Sequence, residues 1–147
     1  MGQKLNIKEK AFLVSAILDN KSVLNKTNSL NELRSLANTA GANVLGQATQ
    51  NIKKIDSSTY IGSGKTQMII DKAKSLKCDI LIFGNDITPT QLKNLQKLAG
   101  NKIKIIDRTG LILDIFTKHA QTKEAKTQIQ LAQLEYLLPR LTRQWTH

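Results

Sequence analysis

The chain has 147 residues, and its 22 Lys plus Arg against 11 Asp plus Glu give a formal net charge of +11. That length suits one domain able to bury about two-thirds of its unfolded surface unaided. The lone Cys78 excludes an internal disulfide, and two histidines with one cysteine exclude a zinc site built from Cys and His.

No apolar run approaches the ~18 residues of a membrane span, and Met1 to Lys10 is polar, so the expectation is a soluble, cytoplasmic protein with no membrane partner. The positive excess favours a polyanionic partner, nucleic acid before membrane. It is spread along the chain: residues 1–101 carry fourteen positive and seven negative side chains, and residues 102–147 carry eight and four.

Ala11 to Leu18 is an apolar run short enough for a buried strand. Ser29 followed by Glu32 reads as a capping box, with Leu30, Leu33, Leu36 and Ala37 at helical spacing and Gly41 as the stop, so a helix is expected from about Leu30 to Ala40. Ala42 to Gln50 alternates weakly as a strand and leads into a polar loop, Lys53 to Ser58. After Gly62-Ser63-Gly64, the positions Met68, Ile69, Ala73 and Leu76 space a second helix that ends near Lys77.

Asp79 to Gly84 is the strongest strand, continuously apolar as in a parallel sheet covered on both faces. Thr88-Pro89-Thr90-Gln91 combines an N-cap, proline at the first helical position and glutamine three residues after the cap, starting a third helix that ends at Gly100. Lys102 to Ile106 is a fourth strand. Alternating strands and helices imply an α/β fold, a parallel four-stranded sheet flanked by helices over residues 1–108, followed by a C-terminal helical segment over residues 109–147.

In that segment Leu111, Ile112, Ile115 and Phe116 mark one short helix, and Thr122 to Leu138 marks another that Pro139 ends or kinks. On the second, Leu131, Leu134, Leu138 and Leu141 form one stripe, and Ile129, Ala132 and Tyr136 lie nearly opposite. A helix apolar on two sides needs two neighbours.

Gly62-Ser63-Gly64-Lys65-Thr66 reproduces the end of a phosphate-binding P-loop, G-x-x-x-x-G-K-[ST], but the position of the leading glycine holds Thr59. A glycine turn opening a helix still offers backbone N–H groups and the positive end of the dipole, with Lys65 beside them, to a nucleotide or RNA phosphate. The plainer reading is a strand-to-helix turn that needs small residues.

No catalytic set is assembled. His119 has no neighbouring nucleophile, Cys78 precedes an apolar strand as a buried structural thiol, and Asp107-Arg108 suits a local ion pair or a helix cap. No metal site is expected. Lys118, Lys123, Lys126, Arg140 and Arg143, with Trp145, set cations beside an aromatic, a combination that suits RNA phosphates and bases; a solvated helix face explains the same cations.

The stretch Asp107-Arg108-Thr109-Gly110-Leu111-Ile112-Leu113-Asp114-Ile115-Phe116, followed by Gln130-Leu131-Ala132-Gln133-Leu134-Glu135-Tyr136-Leu137-Leu138-Pro139-Arg140-Leu141-Thr142, resembles a signature of the HflX family of ribosome-associated GTPases. Ala40-Gly41-Ala42, Thr59 to Lys65, and the Pro89, Gln91, Leu92, Asn94, Leu95 pattern extend the resemblance over nearly the whole chain. Ser63, Ala125 and Gln130 depart from residues common in the family.

The resemblance implies the N-terminal domain plus the first helix of a helical linker, truncated before the GTPase domain. It implies a parent protein that acts on the large ribosomal subunit and its RNA, splitting or rescuing ribosomes. GTP and Mg would bind the missing domain, leaving this chain without cofactor or catalytic activity. The leucine stripe would then lack its returning helix, so a homodimer through Leu131, Leu134, Leu138 and Leu141 is expected. Two rivals stand beside this reading: a small nucleotide-binding α/β protein using Gly62 to Thr66, and an independent basic RNA-binding domain.

Overall fold

In the computed structural model, which describes residues 9–19 and 23–141, nine elements alternate as the sequence pattern requires. They are β1 (Lys10–Leu18), α1 (Val23–Thr39), β2 (Asn43–Ile52), α2 (Ser63–Ser75), β3 (Ile80–Phe83), α3 (Pro89–Ala99), β4 (Lys104–Ile106), α4 (Arg108–His119) and α5 (Lys123–Leu137), with a 3₁₀ turn at Leu138–Arg140. The four strands form one parallel sheet in the order β2-β1-β3-β4. α1 and α4 pack on one face, α2 and α3 on the other.

The two most apolar runs occupy the two central strands. Residues Ala11 to Ile17 of β1 and all of β3 are buried, because helices cover both faces there. β2 lies at an edge and alternates between exposed and half-buried positions. Its register with β1 slips once, Ala11 pairing with Val44 and Phe12 with Gly46, so Leu45 bulges out. Gly46 is required where it stands: a Cβ there would lie 2.7 Å from the Phe12 ring and 2.9 Å from Leu76.

α3 begins as its sequence predicts. The Thr88 hydroxyl accepts the Gln91 N–H at 3.1 Å, the Gln91 side chain accepts the Thr88 N–H at 3.0 Å, and Pro89 occupies the first turn. α1 differs from expectation, since it starts at Val23 and runs straight through the Ser29/Glu32 signature. Those residues are interior, and they satisfy their polar groups across space. The Ser29 and Ser15 hydroxyls share a 3.0 Å hydrogen bond, and Glu32 pairs with Arg108. A capping pattern is local, and here tertiary partners took both side chains.

α4 is capped by Asp107, whose carboxylate accepts the Gly110 N–H at 3.0 Å. Arg108 therefore has no local ion pair with Asp107; it reaches α1 instead. α5 starts at its cap Thr122 and packs on α4, Pro139 falling in the 3₁₀ turn that closes it.

Candidate functional site

Three places collect the polar chemistry. The first is the glycine turn that opens α2. Asp56 builds the loop before it, its Oδ1 accepting the N–H groups of Ser58 at 2.7 Å and Thr59 at 2.9 Å. Those two bonds, Thr59's first, hold the exposed Asp56 carboxyl below its ordinary range. Gln91 and Asn94 of α3 donate to the carbonyls of Asp56 and Ser58, pinning the loop from the far side.

Gly62 then takes φ +94°, which glycine tolerates, and α2 begins with no side chain capping its N–H groups. Thr66 is buried, its hydroxyl donating to the Gly62 carbonyl at 2.7 Å. Ser63, Gly64 and Lys65 are exposed, and the Lys65 ammonium donates to the Asn51 carbonyl at 3.1 Å. A hollow of about 350 Å³ lies there, with Lys53, Lys54, Asp56, Gly62 and Lys65 among its walls. The turn offers an anion uncapped N–H groups and three lysines, set against the carboxylates of Asp19 and Asp56 in the same walls. It does not wrap around a phosphate, because Thr59 is buried against Asp56 where a P-loop has its first glycine.

The second place is the crevice at the carboxyl ends of β1 and β3, where the strand order reverses and open α/β sheets bind ligands. Asn85 bridges it, accepting from the Ala16 N–H and donating to the Ala16 carbonyl, both at 2.9 Å. A hollow of about 300 Å³ remains, walled by Ser29, Ile52 and Tyr60.

The third is the joint between the helical segment and the sheet. The buried Asp107 carboxylate accepts the Ile87 N–H at 3.0 Å and the Tyr136 hydroxyl as well as its own helix cap. The Tyr136 ring rests on Gly110, where a Cβ would stand 3.0 Å from the hydroxyl. Arg140 stacks on that ring at 4.0 Å and donates to the Tyr136 carbonyl at 2.8 Å and the Ile87 carbonyl at 3.4 Å. Burial, then the Asp107 charge, push the Tyr136 phenol well above its usual pKa, so it stays a donor. Asp107, Gly110, Tyr136 and Arg140 all fall within the family-like signature, but nothing in it says which of them meet; the one other signal is Tyr136 on the inward side of α5, opposite the leucines.

The candidate RNA contacts separate into two kinds. Lys118 is exposed but tied down, pairing with buried Asp114 at 3.2 Å and donating to the Ala40 carbonyl, and Arg140 belongs to the joint just described. Lys123 and Lys126 are exposed on α5. Arg143 and Trp145 lie outside the described residues. Leu131, Leu134, Leu138 and Leu141 face solvent, 38 to 63% exposed, while Tyr136 is buried and Ile129 and Ala132 are half-buried.

His119 is exposed, and Cys78 is buried with its thiol pushed up by that burial. Among the described residues no three His, Cys, Asp or Glu side chains gather where a metal ion would sit, and no helix is long and apolar enough to cross a membrane.

A family model described as GTP-binding GTPase N-terminal matches residues 27–117, and one described as GTP-binding GTPase Middle Region matches residues 119–147. GTPase HflX of Caldanaerobacter subterraneus subsp. tengcongensis is 46% identical over 134 residues, covering 91% of this chain and 30% of that protein. GTPase HflX of Alkalihalophilus pseudofirmus is 47% identical over 116 residues, covering 79% and 27%. Among solved structures, a GTP-binding protein from the hyperthermophilic archaeon Sulfolobus solfataricus, in complex with GDP, superposes with a TM-score of 0.68 at 27% identity, over 90% of this chain and 38% of that one.

The chain thus spans under a third of the length of these two curated relatives, and its sheet with trailing helices superposes on part of the Sulfolobus solfataricus structure. On these matches the chain belongs to the HflX family of GTPases and corresponds to the family's N-terminal and middle regions.

Proposed function

We propose that this chain is the non-catalytic, RNA-facing module of an HflX-type GTPase and docks the protein on the large ribosomal subunit in the cytoplasm. In this reading the whole protein separates or rescues ribosomes, and GTP and Mg are held by a GTPase domain that is not part of this chain. The observation that carries it is the distribution of exposed cations. Lys123 and Lys126 lie on α5 and Lys53, Lys54 and Lys65 surround the start of α2, so both parts of a +11 chain present positive charge to a polyanion. Gly62 to Lys65 then serves as a contact for RNA backbone phosphate, through the uncapped N–H groups of α2.

Cosedimentation of the 147-residue chain with large ribosomal subunits over a salt series tests the proposal. The logarithm of the binding constant should fall linearly with log salt, and Lys123→Ala with Lys126→Ala should shallow the slope by about two, one per lost phosphate contact. Binding that ignores a several-fold rise in salt, or a slope untouched by the double substitution, refutes the electrostatic interface. The uncapped α2 N-terminus also favours a second reading, a nucleotide site at Gly62 to Thr66. Saturable binding of ATP or GTP that Lys65→Ala abolishes would establish it.

A further inference from the structure

The sheet ends on two unlike edges. β4 is three residues long, whereas β2 runs for ten, and among the described residues no strand pairs with its outer side. The Ile52 carbonyl accepts the Asp19 N–H on the β1 side, so alternation along the strand turns the N–H and C=O groups of Gln47, Thr49 and Asn51 to the open side. The Asn51 carbonyl fits this phase, since it is the acceptor for Lys65.

Natural sheets blunt such an edge with a charge, a proline or a bulge. β2 has neither charge nor proline from Asn43 to Ile52, and its bulge at Leu45 lies upstream of the open stretch.

Charge surrounds the edge instead of occupying it. Lys53 and Lys54 follow the strand and are exposed, Lys65 reaches its end, and Arg34 of α1 donates to the Gln47 side chain at 3.1 Å. Of the nearby acids, Asp56 is held by the Ser58 and Thr59 N–H groups, which leaves Asp19 as the other exposed one beside the strand end. On the α1 side a hollow of about 420 Å³, lined by Thr27, Leu30, Asn31, Gln47, Thr49 and Asn51, leaves room for the side chains of an added strand.

We propose that the open edge of β2 docks an extended acidic segment of a protein partner, which adds a fifth strand by main-chain bonding to Gln47, Thr49 and Asn51 and is selected by Arg34, Lys53, Lys54 and Lys65. Pairing with a second copy of this chain would bring two sets of the same four cations together. RNA has no row of alternating donors and acceptors to match the strand. The inference shares Lys53, Lys54 and Lys65 with the ribosomal reading but stands on the open strand edge, and its test uses a peptide and no ribosomal subunit.

The test titrates the isotope-labelled 147-residue chain with a capped peptide of about nine residues alternating Glu and Val, and with its Lys-for-Glu counterpart. The acidic peptide should bind at least about tenfold tighter, shifting the amides of Gln47, Thr49 and Asn51. Thr49→Pro removes an outward donor while sparing the β1 ladder, and it should weaken the acidic peptide by about tenfold without moving the β1 and β3 resonances. Lys53→Glu with Lys54→Glu should reverse the preference between the peptides.

Failure of the acidic peptide to bind, equal binding of both peptides, indifference to Thr49→Pro, or shifts confined to α5 each overturn the proposal. So do concentration-dependent shifts of the three amides without peptide, which assign the edge to a second copy, and the same shifts produced by a uridine oligonucleotide, which assign it to RNA.

Discussion

Replacing Tyr136 by Phe removes one oxygen from the joint and leaves the ring on Gly110 and under Arg140. The buried Asp107 carboxylate then keeps two backbone donors, Ile87 and Gly110, and loses the hydroxyl that α5 supplies. A hydrogen bond to a charged, buried acceptor is worth roughly 1.5 to 3 kcal/mol. With an ordinary urea slope for a domain of this size, a loss of that order lowers the midpoint by about 1 M.

Urea unfolding of the whole chain, followed by far-ultraviolet circular dichroism, reads the effect, and a pH series adds an independent check. Burial and Asp107 raise the Tyr136 pKa above the ordinary 10 of an unfolded tyrosine. A group raised in the folded state contributes its full stability below the unfolded pKa and loses it as pH climbs beyond. The parent protein should therefore weaken relative to Tyr136→Phe above about pH 10, and the gap between the two should close. A loss under about 0.5 kcal/mol at neutral pH, or a gap that stays constant from about pH 8 to 11, would refute the account of a desolvated hydroxyl–carboxylate bond.

Gly46→Ala should destabilise the fold by about 1 to 3 kcal/mol, because the new methyl meets the Phe12 ring and Leu76 inside contact distance; unchanged thermal unfolding would show that both side chains yield freely. The exposed Leu131, Leu134, Leu138 and Leu141 should drive self-association of the chain at high concentration. Light scattering on size-exclusion peaks checks this: Leu134→Asp with Leu138→Asp should restore a monomeric mass, and a parent protein that is monomeric at roughly 100 micromolar removes the interface.

The elements that depend on their own residues are legible in the sequence. The unbroken apolar run of β3 allows only a strand buried on both faces, and Thr88, Pro89 and Gln91 carry the whole start of α3 within four positions. The Ser29/Glu32 pattern does not mark the beginning of α1, because both side chains form their bonds with Ser15 and Arg108, which are far away in sequence and invisible to a local pattern. The same distance hid the joint at Asp107. Its carboxylate reads as a helix cap, which it is, but its partners Ile87 and Tyr136 lie 20 and 29 residues away.

Among the cations, composition could count charges and could not tell Lys118, engaged by buried Asp114, from Lys123 on the solvent face of α5. The glycine turn at the start of α2 is legible in the sequence as a turn that opens a helix. That Lys65 reaches back to the carbonyl of Asn51 depends on where β2 ends, and no spacing rule encodes that.

The position of β1 between β2 and β3 has a consequence for synthesis. Its first neighbour, β2, follows closely, but Ala11 pairs on its other side with Ile80, 69 residues further along the chain. At translation rates of about 5 to 20 residues per second, β1 waits roughly 3 to 14 s between the appearance of its own residues and those of its second neighbour. Throughout that interval one whole edge of an almost wholly apolar strand stands open on the nascent chain. The segment from Ala11 to Ile17 is therefore the stretch most exposed to misassembly during elongation, and the stretch that a chaperone riding on the growing chain has most reason to cover.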